Sequence, residues 1–200
     1  MSDRLRIPGN TAVESLYARW LQTPPRPGAT VVEVGTALGK SLSYLVDRLI
    51  EMGRRDVHVY AVDSWCGSAR NGEQQRWADQ EGGDFSLYAK QMLAHDPEAF
   101  EMIRPLRIDS VRAAECFRTG SGAEIDLAVI DAGHQYDDVC ADIEAWLPRV
   151  KRGGIIAGDD YDPVVFEGVV RAVNERFPNC HEVMNDNPWR WSVWWHEKPL

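Results

Sequence analysis

Three carboxylates follow two apolar runs whose composition is typical of buried parallel strands. Asp131 closes the run I-D-L-A-V-I-D at 125–131, and Asp159 and Asp160 follow the run I-I-A-G at 155–158. Because neighbouring parallel strands bring their carboxyl ends to one edge of a sheet, we expect the three carboxylates to converge there. Like charges this close repel one another, and a divalent cation would neutralise them. Oxygen ligands without cysteine favour Mg²⁺, with Mn²⁺ or Ca²⁺ as alternatives. The other interpretation is that one acid caps the following helix and the others are solvated.

A second group of residues with possible chemistry lies in the stretch T-V-V-E-V-G-T-A-L-G-K-S at 30–41. It begins as a short β-branched strand, breaks at Gly35 and continues as an amphipathic helix, which is the start of a nucleotide-binding βαβ unit. Ala37 lies between Gly35 and Gly39, so the dinucleotide fingerprint G-x-G-x-x-G is not matched. Glu33 would repel a pyrophosphate, but it can accept hydrogen bonds from the amino group of a cationic ligand or from N–H groups of the turn.

Another acid, Asp63, closes the next apolar run, V-H-V-Y-A-V-D. A carboxylate at the carboxyl end of a strand can bind both hydroxyls of a ribose; the alternative is a solvated acid at a strand end. The pattern E-x-G-x-x-x-G, followed by this acid, resembles the first motifs of class I S-adenosylmethionine-dependent methyltransferases. The resemblance implies that Asp109 or Ser110, after the third strand, contacts the adenine, although Ser110 could equally serve as a helix N-cap.

The resemblance implies a cofactor site for S-adenosylmethionine. Its residues would come from the glycine turn and from the ends of four strands, with the Ser41 hydroxyl and the N–H groups of 36–41 facing the methionine carboxylate. They are Glu33, Gly35, Thr36, Ala37, Gly39, Ser41, Asp63, Ser64, Asp109, Ser110 and Asp131.

The second half of the chain carries a more specific resemblance. The span I-D-A-G-H-Q-Y-D-D-V…W-L-P-R-V-K-R-G-G-I-I-A-G-D-D-Y resembles small class I O-methyltransferases, including the catechol O-methyltransferase group and the antibiotic- and sugar-modifying enzymes. The resemblance implies that Asp131, Asp159 and Asp160 bind a divalent metal. His134 stands where catechol-type members have a lysine general base, so it is the candidate base; the alternative is a structural histidine held by Asp137 or Asp138.

Alternating apolar patterns must position these residues, with a period near 3.6 for helices and short β-branched runs for strands. The predicted helices cover 11–21, with Thr11 and Glu14 as a capping box, then 42–50, 84–94, 110–117, 139–150 and 165–177. The predicted strands cover 31–34, 57–63, 102–108, 125–131, 155–158, 180–184 and 189–196, with Gly153-Gly154 as the turn before the fifth. This order predicts one Rossmann-like α/β domain over residues 1–200. Its seven-stranded sheet is mostly parallel with an antiparallel last strand, and it has helices on both faces.

Three segments have two interpretations each. The helix at 11–21 packs on the sheet or closes over a ligand. The polar stretch 64–83 is a lid on the substrate side or a subunit contact, because a loop this long in a small domain is usually functional. In the tail P-W-R-W-S-V-W-W-H, the tryptophans fill core, or Trp189 or Trp191 stacks on an aromatic or sugar substrate.

Composition limits the partners. A net charge of −9 in 200 residues argues against nucleic acid or an anionic membrane. The four cysteines are far apart in sequence and form no C-x-x-C pair, which indicates reduced thiols. The N-terminal M-S-D-R-L-R-I-P has no apolar signal core. We therefore expect a cytoplasmic enzyme with a small-molecule acceptor, which could form a homo-oligomer.

The predicted function is transfer of a methyl group from S-adenosylmethionine to a hydroxyl of a small molecule, assisted by a divalent cation. Two other functions fit the same patterns. One is a metal-independent N- or O-methyltransferase whose acids bind substrate amines, and the other is a non-catalytic protein on the same fold that binds a nucleoside-like ligand.

Overall fold

The computed structural model describes residues 7–8, 12–66, 84–117, 124–183 and 192–200. The elements follow one another as α1 (Val13–Trp20), β1 (Thr30–Val34), α2 (Lys40–Glu51), β2 (His58–Asp63), α3 (Asp84–His95), α4 (Pro97–Met102), β3 (Ile103–Arg107), α5 (Ser110–Ala114), β4 (Ile125–Ile130), α6 (Tyr136–Trp146), a 3₁₀ turn (Leu147–Arg149), β5 (Val150–Gly158), α7 (Glu167–Arg176), β6 (His181–Val183) and β7 (Val193–Glu197). No helix in these ranges combines the length and the apolar composition that crossing a bilayer requires.

The seven strands form one sheet in the order β3-β2-β1-β4-β5-β7-β6. The first five strands are parallel, and β7 runs antiparallel to both β5 and β6. The predicted fold class, including the strand number and the antiparallel last strand, is therefore confirmed. The strand order reverses between β1 and β4, and ligands of such sheets bind beyond the carboxyl ends at that point.

Each face of the sheet carries its own apolar layer. On one face, α1, α2, α3 and α4 contribute buried side chains such as Leu16, Leu42 and Met92. On the other face, α5, α6 and α7 contribute side chains such as Trp146 and Val173. The β1 strand is buried at every position, as its β-branched composition predicts.

The structure corrects several predicted boundaries. The fifth strand begins at Val150 rather than Ile155, so the predicted 139–150 helix ends earlier and Gly153-Gly154 lie inside the strand. A Cβ on Gly154 would lie 2.8 Å from the Val150 side chain and 3.0 Å from the Ile125 carbonyl, and the register with β4 shifts there. Gly154 therefore accommodates a close approach of strands instead of ending a turn.

Other differences are local. The helix α4, which begins with Pro97 after an Asp96 N-cap, was not predicted. The N-cap of α5 is Asp109, so the alternative in which Ser110 caps that helix is wrong. Val165, predicted on the inner face of a helix, lies before α7 and is 60% exposed.

Some predictions fall outside the described residues. Thr11 of the capping box, residues 67–83 of the candidate lid, and both Trp189 and Trp191 belong to this group. Within the described tail, Trp194 is buried in the core, as the core interpretation expects for that residue.

A buried acid at the amino end of β4 connects three chain segments. The Asp126 carboxylate accepts hydrogen bonds from Arg26 at 2.8 and 2.9 Å and from the Thr30 backbone N–H at 2.8 Å. The Lys151 ammonium lies 2.5 Å from the same carboxylate. Since Asp126 is only 6% exposed, these donors offset the cost of burying its charge.

We expect Asp126→Ala to lower the free energy of unfolding by about 1–3 kcal/mol, because it leaves the buried Thr30 N–H without its acceptor and two cations without their partner. The measurement is denaturant unfolding followed by circular dichroism. As a control, Glu144→Ala removes an exposed ion pair with Arg176 and should leave the midpoint unchanged within error. Equal effects of the two changes would contradict the structural role of Asp126.

Candidate active site at the carboxyl edge of the sheet

The carboxyl ends of β4 and β5 bring three possible metal ligands together. One ligand atom from each of Asp131, His134 and Asp160 lies within 4.8 Å of the others. The strands place them, because Ile130 of β4 is opposite Gly158 of β5 and the acids follow directly. The Asp131 N–H continues the ladder to the Val34 carbonyl at 2.7 Å.

The backbone of Asp160 adopts a left-handed conformation, with φ of 60°. Such a conformation in a residue other than glycine costs energy and is concentrated at functional sites. Its carboxylate lies 2.7 Å from His134 Nε2. The ring of His134 packs against Phe166, with 5.0 Å between the ring centroids.

Asp159, the other predicted metal ligand, accepts two backbone hydrogen bonds. Its Oδ1 accepts the Asp160 N–H at 2.8 Å, and its Oδ2 accepts the Ala12 N–H at 3.3 Å. Asp159 lines the same cleft, but it is not among the described groups that converge within 4.8 Å. His134, which was predicted as the base, is the third member of that group.

The acids strongly influence one another's protonation. Burial, followed by the charges of Asp159, Asp160, Glu33 and Asp63, raises the pKa of Asp131 well above its usual value. Burial and then the charge of Asp160 raise the pKa of Asp159 to about 6. A cation bound here would be stabilised by the same charges that now favour protonation.

The pKa of His134 shifts in the direction expected for an imidazole beside carboxylates. Its hydrogen bond to Asp160 raises the pKa of His134 above the usual 6.5, and partial burial opposes that shift. The protonated imidazolium is therefore the favoured partner of Asp160 when no other cation neutralises the acids.

The glycine turn packs directly against this site. The backbone of Gly35 has φ of 91°, and a Cβ there would lie 1.9 Å from the Asp131 carbonyl oxygen. The Gly35 N–H donates to the Val62 carbonyl at 2.8 Å. Gly35 is thus required by both its conformation and its distance from Asp131.

Glu33 is a nearly inaccessible acid, 1% exposed, below this turn. Its carboxylate accepts hydrogen bonds from the Tyr17 hydroxyl at 2.6 Å and from the Ser41 hydroxyl at 2.7 Å. The side chain therefore uses hydroxyl donors, and the Ser41 proton that was expected to face a methionine carboxylate points to Glu33. Burial raises the pKa of Glu33 to about 7, although the hydrogen bonds from Tyr17 and Ser41 lower it.

Asp63 holds the glycine turn to the end of β2. Its two oxygens accept the Ala37 N–H at 2.9 Å and the Trp65 N–H at 2.7 Å. The Trp65 indole donates back to the Ala37 carbonyl at 2.7 Å, so the two loops are linked twice. The Ser64 hydroxyl between them accepts the Cys66 N–H at 3.3 Å.

The predicted adenine-side residues divide into an exposed acid and a half-buried hydroxyl. Asp109 is exposed and accepts the Arg112 N–H at 3.3 Å. The Ser110 hydroxyl donates to the buried Asp142 and accepts the Trp146 indole N–H at 2.9 Å. Its proton is thus engaged in the core between α5 and α6, and burial raises the pKa of Asp142 to about 6.

Two observations fit a cofactor with an ammonium and a sulfonium at this edge. The first is the concentration of carboxyl groups, namely Glu33, Asp63, Asp131, Asp159 and Asp160, whose charges add to burial in raising the pKa values of Glu33, Asp131 and Asp159. The second is the Tyr88 hydroxyl of α3, which is buried and has no hydrogen-bond partner among the residues the structure describes. A Cβ on Gly39 would lie 2.9 Å from the Tyr88 ring, so the unpartnered group is next to the glycine turn.

Two groups that contact the site could not be predicted from the sequence. Tyr17 falls on the inner stripe of a helix, where an aromatic residue indicates core rather than a hydrogen bond to Glu33. The Ala12 N–H gives no signal at all, because any residue type could supply it. In both cases the partner comes from a distant part of the chain.

The raised pKa of Glu33 predicts how stability depends on pH. Its folded pKa of about 7 exceeds the usual 4.5, so the folded chain binds more protons than the unfolded chain between these values. The free energy of unfolding should therefore fall as pH rises through this window, by roughly 3 kcal/mol at most from Glu33. Glu33→Gln should flatten the decline between pH 5 and pH 7.5 in thermal melts. The matched Glu51→Gln, on the exposed end of α2, should not flatten it; an unchanged slope in Glu33→Gln would contradict the assigned pKa.

Comparison with known proteins places these features in a family. Residues 32–161 match a family described as a methyltransferase domain. An uncharacterized protein of Sinorhizobium fredii, y4gI, is 27% identical over 146 residues, which is 72% of this chain. The chain spans only 14% of that relative's length.

Solved structures share the fold at low sequence identity. The O-methyltransferase TomG of Streptomyces achromogenes, in complex with S-adenosylmethionine, has a TM-score of 0.66 at 12% identity; the match covers 96% of this chain and 82% of TomG. CalS11, a TDP-rhamnose 3'-O-methyltransferase, has a TM-score of 0.59 at 15% identity, covering 91% of this chain and 76% of that one. The chain therefore belongs to the family of methyltransferase domains on the Rossmann-like fold whose cofactor is S-adenosylmethionine.

Proposed function

We propose that this protein transfers the methyl group of S-adenosylmethionine to a hydroxyl oxygen of a small molecule, with a divalent cation at the carboxyl edge of the sheet. The observation that carries the proposal is the convergence of Asp131, His134 and Asp160 within 4.8 Å of one another. This group lies beside the glycine turn, where a Cβ on Gly35 would overlap the Asp131 carbonyl. A metal bound by these three residues and a cofactor bound at the glycine turn would be neighbours.

The described donor set suits a divalent cation. Two carboxylates at the ends of adjacent strands repel each other, and a cation between them removes that cost. Carboxylates alone favour Mg²⁺, Ca²⁺ or Mn²⁺, whereas an added imidazole favours a metal that also accepts nitrogen, and Mn²⁺ accepts both. When bound, such a cation supplies Lewis acidity that lowers the pKa of the acceptor hydroxyl.

The cleft around these residues has a mixed polar and apolar lining. Its wall combines the acids with apolar side chains, among them Val139, Val169 and Trp194. The His134 ring, backed by Phe166, forms another side. Convergent polar groups within an apolar wall are typical of sites for small molecules.

The residues of this chain have separate tasks in the proposed reaction. The Glu33 carboxylate accepts hydrogen bonds from the ammonium of the cofactor, and the Asp63 carboxylate accepts hydrogen bonds from the ribose hydroxyls. The acceptor oxygen forms a bond to the methyl carbon while the sulfur–carbon bond breaks, and the electron pair of that bond stays on sulfur as a neutral thioether. His134 takes the hydroxyl proton. Holding both reactants in line supplies most of the rate enhancement, and no covalent intermediate is required.

His134 has a second candidate role as a metal ligand. Its Nε2 lies 2.7 Å from the Asp160 carboxylate, which is the arrangement that would let both groups face one cation. A nitrogen that binds metal cannot also accept the substrate proton, so the two roles exclude each other. The ligand role predicts a preference for Mn²⁺ over Mg²⁺, and the base role does not.

Names of structural neighbours support the oxygen acceptor. TomG and NovP are described as O-methyltransferases, and CalS11 as a sugar O-methyltransferase. At identities of 12–18% these proteins share the fold with this chain, but a shared fold does not identify the methyl acceptor of this chain.

The proposed cation site predicts metal binding that depends on Asp131. Calorimetric titration with Mn²⁺, in the presence of S-adenosylhomocysteine, should show one site in the wild type. Asp131→Asn should weaken it by at least tenfold, because it removes a charged ligand. Asp137→Asn, an exposed acid on the first turn of α6, is the matched control. Binding that survives Asp131→Asn would reject this site, and methyl transfer that continues in EDTA would favour the metal-independent alternative.

Substitution of His134 separates its two roles. If it is the base, His134→Gln should lower kcat by about 10²–10⁴ while the Mn²⁺ affinity is kept. The wild-type rate should also rise with pH as the imidazolium, whose pKa is raised by Asp160, loses its proton. If it is a ligand, the Mn²⁺ affinity should fall together with kcat. Full activity in His134→Gln would exclude both roles.

A further inference from the structure

The helix α1 lies before residues 32–161, the part of the chain that matches the methyltransferase family, yet it contacts the site at two points. Near its end, the Tyr17 hydroxyl donates to Glu33 Oε2 at 2.6 Å. At its start, the Ala12 N–H donates to Asp159 Oδ2 at 3.3 Å. One short helix therefore connects the ends of β1 and β5.

The Tyr17 side chain is closely packed where it meets Glu33. It is fully buried, and its helix packs through Val13 and Leu16 into the apolar layer that includes α2. A phenol in such surroundings needs a hydrogen-bond acceptor, and Glu33 supplies it. Burial and the neighbouring Glu33 raise the pKa of Tyr17 well above 10, so this hydroxyl remains a donor across the physiological range.

Glu33 has few other groups to hold its charge. The Ser41 hydroxyl lies 2.7 Å from both carboxylate oxygens, but a hydroxyl has only one proton to donate. Tyr17 therefore supplies the second proton. The charges of Asp63 of β2 and Asp159 after β5 disfavour the ionised form of Glu33, and Glu33 in turn interacts electrostatically with Asp131 and Tyr88.

We propose, on the basis of the proposed function, that Tyr17 is a positioning residue that holds the Glu33 carboxylate oriented toward the ammonium of the cofactor. The α1 helix is then part of the cofactor site, although the family match does not include it. A lone pair on each Glu33 oxygen remains available to the ammonium after the two hydroxyls have donated.

The test is a comparison of two ligands, S-adenosylhomocysteine and its analogue in which hydrogen replaces the α-amino group. Tyr17→Phe keeps the ring and removes only the hydroxyl. It should weaken binding of S-adenosylhomocysteine about tenfold, the size expected for a hydrogen bond to a charged group, and that of the analogue less than twofold. Tyr60→Phe, which removes a hydroxyl from a tyrosine packed against Phe117 on the other face of the sheet, should change neither affinity.

A purely structural role for Tyr17 would weaken both ligands equally, and that result would overturn the proposal. Unchanged affinities in Tyr17→Phe would overturn it as well. The double variant Tyr17→Phe/Glu33→Gln should bind S-adenosylhomocysteine no more weakly than Glu33→Gln alone, because Tyr17 acts through Glu33; additive losses would contradict this. If the wild type binds neither ligand, the cofactor assignment itself fails, and this outcome is distinct from a change in the ratio between the two ligands.

Discussion

The repulsion among carboxyl groups at one edge of the sheet constrains the rest of this structure. Strands β1, β2, β4 and β5 each have an acid at, or directly next to, the carboxyl-terminal residue, and their parallel register brings those acids together. The surrounding chain limits the repulsion in specific ways. Backbone N–H groups bind Asp63 and Asp159, hydroxyls bind Glu33, and an imidazole binds Asp160. The arrangement costs stability and is suited to cationic ligands.

The hydrogen-bond donors differ between the half of the edge at β1 and β2 and the half at β4 and β5. Around β1 and β2, the donors are neutral and fixed by helices, as Tyr17 and Ser41 illustrate. Around β4 and β5, the only titratable donor that the described residues bring to Asp160 is His134, and it is partly exposed. In the first half, neutral hydroxyls donate to the buried Glu33, whereas in the second half a titratable imidazole pairs with Asp160.

The sequence predicted the sheet well because local patterns determine most of it. The β-branched runs gave the parallel strands, and acids at their ends followed from the position of each run. Local patterns failed where a distant contact decides the conformation. Gly153-Gly154 look like a turn, but the close approach of β4 keeps them in β5. Likewise, Asp159 and Asp160 look equivalent in sequence, but distant contacts distinguish them, because Asp159 accepts the Ala12 N–H and Asp160 pairs with His134.

The left-handed backbone of Asp160 has an evolutionary consequence. Among residues other than glycine, only asparagine and aspartate adopt this conformation at modest cost, so a position with φ of 60° can drift to asparagine but not readily to glutamate. The backbone of Asp159 is not in that region, so it does not impose the same restriction. The backbones of the two adjacent acids therefore tolerate different substitutions. Asparagine at position 160 would remove a charge from the edge of the sheet while it keeps a side-chain oxygen in place.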